Sequence, residues 1–359
     1  MLTILHHLPE GLLTTSAPDL HRILSGPTLC HLPGKNTRPL FVSVLLHGDE
    51  TTGLLAVQQL LAQYWGRTLP RSLSLLLGNV AAARWQRRHL DGQPDYNRIW
   101  CGEGGEEFVM AGEVLQEMAR REVFAAIDIH NNSAPNPEYA MIPRLDPSHI
   151  ALARMFSDKL VFFLQPHSAQ SSAFGEICPA VTIECGVPGQ AKGLEGSVRF
   201  LDQLLNLEHL PKDPVLVEKM DLYRIVATLK VPGSRSFGFD PKAESGLCFM
   251  VNPARHNFQI MDRGTVFATG CDGLGSCLEV VNLEGQDVFA RFFRMDGPSL
   301  VTACSFVPAM LTMNRKIIQQ DCLGYILDRV RHFPMAGTVV VDQRTGGTGG
   351  RRVHTPKIP

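Results

Sequence analysis

Apolar positions run without interruption through five short stretches in the first half of the chain: PLFVSVLLHG (39–48), SLSLLLGN (72–79), FAAIDIHNN (124–132), KLVFFLQ (159–165) and AVTIECG (180–186). Unbroken runs of this length suit strands covered on both faces. Between them the apolar positions fall at steps of three and four, in GLLAVQQLLAQYW (53–65), EEFVMAGEVLQEMARRE (106–122) and SHIALARMFSDK (148–159), with GSVRFLDQLLNL (196–207) after the last. In the first of these, Leu54, Val57, Leu60, Leu61 and Tyr64 share one helix face. Strands alternating with helices predict βαβ units and a mainly parallel, mixed sheet with helices on both sides. The expected fold of residues 1–211 is therefore a three-layer α/β/α domain.

From LPKDP (210–214) onward the texture changes. Long helical patterns become rare, and short strands such as DLYRIVATLKVPG, GLCFMVNP, NFQIMDRGTVFATG and SCLEVVNLEG alternate with turns. A smaller β-rich domain is expected over 212–345, with Lys212-Asp213-Pro214 as the linker. Residues 346–359 are glycine-rich with little to bury, and are expected to form a mobile tail or a loosely packed strap.

Composition narrows the partners. The chain has 359 residues, 44% hydrophobic and 19% charged, enough for a large core and for two domains. Its 34 Lys plus Arg nearly balance 35 Asp plus Glu, so no field draws it to nucleic acid or to an anionic membrane, and small molecules are the expected partners. No run of 18 apolar residues is present to span a bilayer. The opening MLTILHHLPEGLL lacks the charged start, apolar core and cleavage site of a secretory signal. The nine cysteines are odd in number, scattered and without a CxxC pair, which signals neither a disulfide scaffold nor a zinc ribbon. A reducing cytoplasm is the expected location.

The chemistry gathers where the apolar strands end: His47, Asp49 and Glu50 after the first, Gly78-Asn79 after the second, Asp128, His130, Asn131 and Asn132 on the third, and Glu184 on the last. In open parallel sheets ligands sit beyond the carboxyl ends of the strands. His47 and Glu50, three residues apart with Glu50 opening a helix, can reach one ion, and His130 supplies a third donor. Two histidines and one glutamate leave a fourth tetrahedral position for water, the signature of a catalytic rather than structural zinc. One Zn2+ per chain is expected. Asp128, two residues before His130 on the same strand face, can accept the free ring N–H of a ligating histidine. Glu184, without an evident ion partner, suits a general base for the zinc-bound water. Singly, each has a structural alternative: HxxE arises by chance, Asp128 and His130 can cap a loop, and Glu184 can start a helix or join an ion pair. Their common place at strand ends is what joins them.

Other motifs fail. LPGKNT (32–37) lacks the glycine spacing and the Ser/Thr of a P-loop, and GCDGLG (270–275) lacks dinucleotide-turn spacing. No GxSxG elbow is present, and no cysteine sits in a nucleophile motif.

Four segments, HGDE (47–50), GNVAAARWQRRHLDGQPDYNRIW (78–100), DIHNNSAPNPEYA (128–140) and TIECG (182–186), in this order resemble the succinylglutamate desuccinylase/aspartoacylase family of the zinc carboxypeptidase superfamily. The resemblance covers about residues 38–200. It implies a zinc-carboxypeptidase-like catalytic domain in which His47, Glu50 and His130 bind zinc and Glu184 acts on the water. It further implies that Arg88, with Arg87 as substitute, polarises the scissile carbonyl, and that Asn97 and Arg98 of the Asp-x-Asn-Arg motif hold a substrate carboxylate. Asp95 of that motif is expected to support the site from behind, as Asp128 does, and Asn132 to contact substrate. A homodimer is an expectation carried by the resemblance alone. The implied activity is zinc-dependent cleavage of an amide in a small N-acyl amino acid or related carboxylate. The alternatives are a metallocarboxypeptidase acting on peptides and a non-catalytic metal- or ligand-binding relative. Two departures bear on substrate: no arginine lies between Arg154 and Glu184, where relatives carry one, and SFVPAMLTMNRKI (305–317) has no tyrosine where relatives place one beside the pocket.

Overall fold

The computed structural model describes residues 1–211, 220–233, 235–240, 246–250, 252–271 and 277–330. The expected linker (212–214) and glycine-rich tail (346–359) lie outside the described residues. Strands β1 (Thr3–Leu5), β2 (Thr28–Leu32) and β3 (Gly34–Val44) lead into helix α1 (Thr52–Gln63). Then come β4 (Leu69–Leu77), α2 (Val80–Arg84), α3 (Glu106–Arg120), β5 (Ala125–His130), β6 (Tyr139–Ile142) and α4 (Pro147–Arg154). The half closes with β7 (Lys159–Phe162), α5 (Gln170–Phe174), β8 (Ala180–Glu184) and α6 (Ala191–Asn206). After residue 220 the structure is strand-rich: β9 (Asp221–Lys230), β10 (Phe237–Gly238), β11 (Leu247–Phe249), β12 (Val266–Thr269), β13 (Glu279–Val281), α7 (Phe289–Phe292), β14 (Phe293–Asp296), β15 (Ser299–Thr302), β16 (Val307–Ala309), α8 (Arg315–Gln320) and β17 (Gly324–Arg329).

All five apolar runs form strands. The central four, in the order β4-β3-β5-β8, run parallel. Leu40, Val42 and Val44 pack into the core formed with Leu54, Val57 and Leu60 of α1 and Phe200, Leu201 and Leu204 of α6. Phe41 turns the other way, into a core with Met110, Val114 and Met118 of α3, and its ring stacks on Phe174 at 4.4 Å between centroids. Helices thus cover both faces, which is why these strands carry no polar alternation. Strands β1, β2 and β6 are the ones the apolar pattern of this half does not announce. TLCHL carries a histidine, buried against Ser74 at 2.9 Å, and the four-residue YAMI sits among loop residues. Strand β6 enters the sheet antiparallel to β8 and parallel to β7, which makes the sheet mixed.

The large sheet continues past residue 211. Strand β9 pairs in parallel with β7 and antiparallel with β17 and β13, so strands from both halves of the sequence share one hydrogen-bonded array. A second, five-stranded sheet, β10-β11-β12-β15-β14, packs on this extension through a phenylalanine-rich core in which Phe249, Phe267 and Phe293 meet Leu229 and Ile326. Among the described residues no helix is long and apolar enough to cross a membrane.

One glycine ties fold to site. A Cβ on Gly48 would stand 2.2 Å from the Ala83 nitrogen and 2.7 Å from the Arg87 carbonyl oxygen, both backbone atoms that cannot swing aside. The turn after β3 therefore packs flat against α2 and the segment that follows it, with Gly48 N–H donating to the Arg88 carbonyl at 3.2 Å. Gly112, inside α3, has nothing within 4 Å of such a Cβ. Gly48→Ala should destabilise by about 1–3 kcal/mol through overpacking, whereas Gly112→Ala should stabilise by about 0.5–1 kcal/mol through helix propensity. Thermal unfolding of the two variants, whose midpoints should move in opposite directions, checks both.

Candidate active site

The chain leaves β3 through Leu45, a buried leucine at φ 57°, whose carbonyl accepts from the Asn79 N–H at 2.7 Å. A left-handed leucine is strained, and such strain clusters where a turn must aim side chains. Here the turn presents His47 and Glu50 at the sheet rim. Glu50 sits just before α1, whose first helical residue is Thr52 after the N-cap Thr51. It therefore reaches the site from the turn rather than as a helix-opening residue. Strand β5 delivers Asp128 and His130 on one face, and the register of β5 against β8 sets His130 beside Glu184.

His47, Glu50 and His130 are buried and converge. Glu50 Oε1 lies 2.8 Å from His47 Nδ1, Glu50 Oε2 lies 2.8 Å from His130 Nδ1, and the two Nδ1 atoms are 3.1 Å apart. The outer ring nitrogens are held from behind. His130 Nε2 faces Asp128 Oδ2 at 2.6 Å, and Ser43 Oγ donates to the other Asp128 oxygen at 2.7 Å. His47 Nε2 faces Asp95 Oδ1 at 3.0 Å, and Arg88 Nη2 donates to Asp95 Oδ2 at 2.9 Å. Both imidazoles therefore turn Nδ1 inward, toward Glu50.

The electrostatics follow from this packing. Burial alone would push the Glu50 carboxyl up, but the His47 and His130 rings outweigh it and hold Glu50 well below the usual carboxylate range. Burial depresses His130, and Asp128 and Glu50 more than reverse that. Asp95 is likewise held low by His47 and Arg88 against its own burial, and Arg88 is held firmly charged by Asp95, Asp321 and Glu50. Three carboxylates, Glu50, Asp95 and Asp128, face one guanidinium, so with neutral imidazoles the cluster carries two uncompensated negative charges. A divalent cation would supply that charge. The geometry fits one as well, because donors around a single tetrahedral ion with bonds of about 2.0–2.2 Å stand about 3.3 Å apart. One ligand atom from each of His47, Glu50 and His130 lies within 4.8 Å of the others.

Glu184 lines the same cavity, of about 250 Å³, and has no ion partner among the described residues. Asn132 Nδ2 donates to its Oε2 at 2.8 Å and to the hydroxyl of buried Tyr139 at 3.1 Å. Burial pushes the Glu184 carboxyl up to about 7, against the pull of the His130 ring. Asn132, expected to touch substrate, is thus also a support for Glu184. Asn97 accepts the Gln170 backbone N–H through Oδ1 at 2.8 Å, and its Nδ2 lies 3.4 Å from His130 Nε2. Arg98 lines the cavity and donates to the Asn97 carbonyl at 2.8 Å. Arg87, the substitute for Arg88, turns outward to exposed Asp91 at 3.5 Å, leaving Arg88 as the arginine at the site.

The sequence reading passed over two contributors. Tyr325 and Asp321 line the cavity from the C-terminal part, and Asp321 Oδ2 stands 3.8 Å from Arg88 Nη2. A tyrosine therefore does border the cavity, from β17, eight positions past the stretch searched for one. Asp49 also lines it. Neither Tyr325 nor Asp321 sits at the end of an apolar run of the parallel sheet, so the strand-end rule selects Asp49 but not them.

No family model and no curated protein matches the sequence. Solved structures do match the fold. Succinylglutamate desuccinylase from Chromobacterium violaceum is 16% identical, with 83% of this chain and 86% of that one covered and a TM-score of 0.54. Succinylglutamate desuccinylase/aspartoacylase from Rhodobacter sphaeroides is 13% identical, with 85% and 89% covered and a TM-score of 0.55. Murine aminoacylase 3 is 14% identical, with 82% and 96% covered and a TM-score of 0.51. The protein therefore has the fold of the succinylglutamate desuccinylase and aspartoacylase structures, the family that its four sequence segments resemble.

Proposed function

We propose that the protein is a zinc-dependent hydrolase that cleaves the amide of a small N-acyl amino acid or related carboxylate. The observation that carries this reading is the convergence of His47, Glu50 and His130 on one point, with Glu184 at the wall of the same cavity and, among the described residues, in no ion pair. Residues 1–211 supply this chemistry in the proposal, and the β-rich part narrows the cavity. The fold neighbours, named as desuccinylases and an aminoacylase, add support for amide substrates. A zinc ion held by His47, Glu50 and His130 supplies the positive charge that brings the pKa of water down toward about 7.

The chain's own residues do the rest. Asn132 occupies Glu184 Oε2 and so leaves Oε1 to take a proton from water and return it to the departing nitrogen. A carboxyl poised near 7 both accepts and releases that proton at neutral pH. Arg88, fixed by Asp95, offers its remaining N–H groups to the developing oxyanion. Arg98, positioned by the Asn97 carbonyl, suits a substrate carboxylate, which its planar fork can grip through two hydrogen bonds.

Protein purified without added metal should contain one zinc per chain by elemental analysis. A chelator should abolish hydrolysis of N-acyl amino acids, and zinc should restore it. Asp128→Ala should weaken zinc affinity by about 10–100-fold, because it removes the acceptor that orients His130; unchanged affinity by competitive chelator titration would count against that orientation. Glu184→Ala should lower turnover by about 10²–10⁴ with zinc still bound, and near-normal activity would refute the proton-transfer role.

A further inference from the structure

The cavity is chemically one-sided. Its only cations from the basic side chains, among the described residues, are Arg88 and Arg98. Arg88 is engaged by Asp95 and faces Asp321. One guanidinium, that of Arg98, is left for a carboxylate of the substrate. Asp49 and Asp321 add negative charge to the lining. The rest of the wall mixes neutral polar side chains, Ser133, Asn136, Gln165 and Thr312 among them, with one apolar patch: Met141, Phe163, Ile225 and Met310 border the cavity and belong to one hydrophobic cluster with buried Tyr139 and Phe258.

We propose that the acyl group of the substrate is uncharged and apolar and seats against Met141, Phe163, Ile225 and Met310, and that the site accepts one carboxylate rather than two. This rests on the deacylase reading. An N-acyl amino acid always brings the α-carboxylate of its amino acid, and that group takes Arg98. A second carboxylate on the acyl group, as in a succinyl or aspartyl chain, would be desolvated against methionine, phenylalanine and isoleucine side chains with no cation to pair with, and buried charge without a partner is strongly disfavoured. The discrimination thus comes as much from excluding the charged acyl group as from contacting the apolar one. Strands from both parts of the chain build the wall, Met141 on β6 and Ile225 on β9, so the sheet continuing past residue 211 completes it.

The test compares N-butanoyl-L-leucine with N-succinyl-L-leucine, which share the amine half and differ at the acyl end by one methyl against one carboxylate. On the zinc-loaded enzyme, kcat/KM for the butanoyl compound should exceed that for the succinyl compound by at least ~100-fold. Calorimetric binding to zinc-loaded Glu184→Ala, which needs no turnover, should give the same order. Equal or tighter binding of the succinyl compound, or binding of neither, overturns the proposal. Hydrolysis of neither compound by the wild-type enzyme, with the butanoyl compound still bound more tightly, would sink the deacylase reading and leave the apolar subsite standing. Preferential hydrolysis of the succinyl compound would do the reverse. Met141→Arg, checked for folding by its thermal midpoint, should improve the succinyl-to-butanoyl ratio at least ~10-fold. An unchanged ratio in the folded variant overturns the placement of the acyl group on this wall, and if the variant does not fold, the wild-type pair decides alone.

Discussion

The structure around the cavity depends on one buried carboxylate held between two imidazoles. Each Glu50 oxygen stands 2.8 Å from a histidine Nδ1, and Glu50 also accepts the Asn131 backbone N–H at 3.0 Å. Desolvating a carboxylate is costly unless its lone pairs are met. Here they are met by groups that themselves need positive charge, because Asp128 and Asp95 back the outer nitrogens of the same two rings. The chain Ser43–Asp128–His130–Glu50–His47–Asp95–Arg88 is a continuous polar relay through a hydrophobic rim. Removing one member leaves its neighbours desolvated and unpaired, so geometry and charge are maintained together.

Sheet register is what makes that relay buildable. Ser43 lies opposite Asp128 across β3 and β5, and His130 lies opposite Glu184 across β5 and β8. Neighbouring strands are about 4.8 Å apart, so side chains leaving adjacent strand ends on one face meet without long reaches. The strained exit at Leu45 and the close packing at Gly48 supply what register cannot, bringing His47 and Glu50 back over the rim from a turn.

This explains what was legible in the sequence. The central strands could be read because both of their faces are buried, and the four donors and acids at their ends could be read because strand ends are where such sheets bind ligands. The contact of Asp128 with His130 could be read from their spacing on one strand face. Strand β6 could not be read: four residues inside a loop carry no periodicity, and its antiparallel entry between β8 and β7 is decided by tertiary pairing. The same holds for Asn132. Its link to Glu184 crosses 52 residues of chain, and a run of Asn-Asn-Ser does not say which amide turns inward. Tyr325 and Asp321 were hidden for a related reason, since the partners that bring them to the cavity lie on β9 and on Arg88, far away in sequence.

The strand-rich part is more than a cover. The segment that follows His130 is pinned from the other half of the sequence: Ser133 donates to the Thr312 hydroxyl at 3.0 Å, the Met310 N–H donates to Asn136 Oδ1 at 3.2 Å, and Asn257 Nδ2 bridges the Pro135 and Leu311 carbonyls at 3.1 and 3.0 Å. Met310 itself sits at φ 56°, a left-handed conformation stabilised by these contacts, and lines the cavity. The loop is thus held at both ends: Asn131 and Asn132 bond Glu50, Thr52 and Gly186 of the first half, and residues 133–136 are pinned by the second. Since Asn132 in turn bonds Glu184, hydrogen bonds that begin beyond residue 250 reach through this loop to the Glu184 carboxyl. The two halves cannot be separated into a chemical part and a structural one.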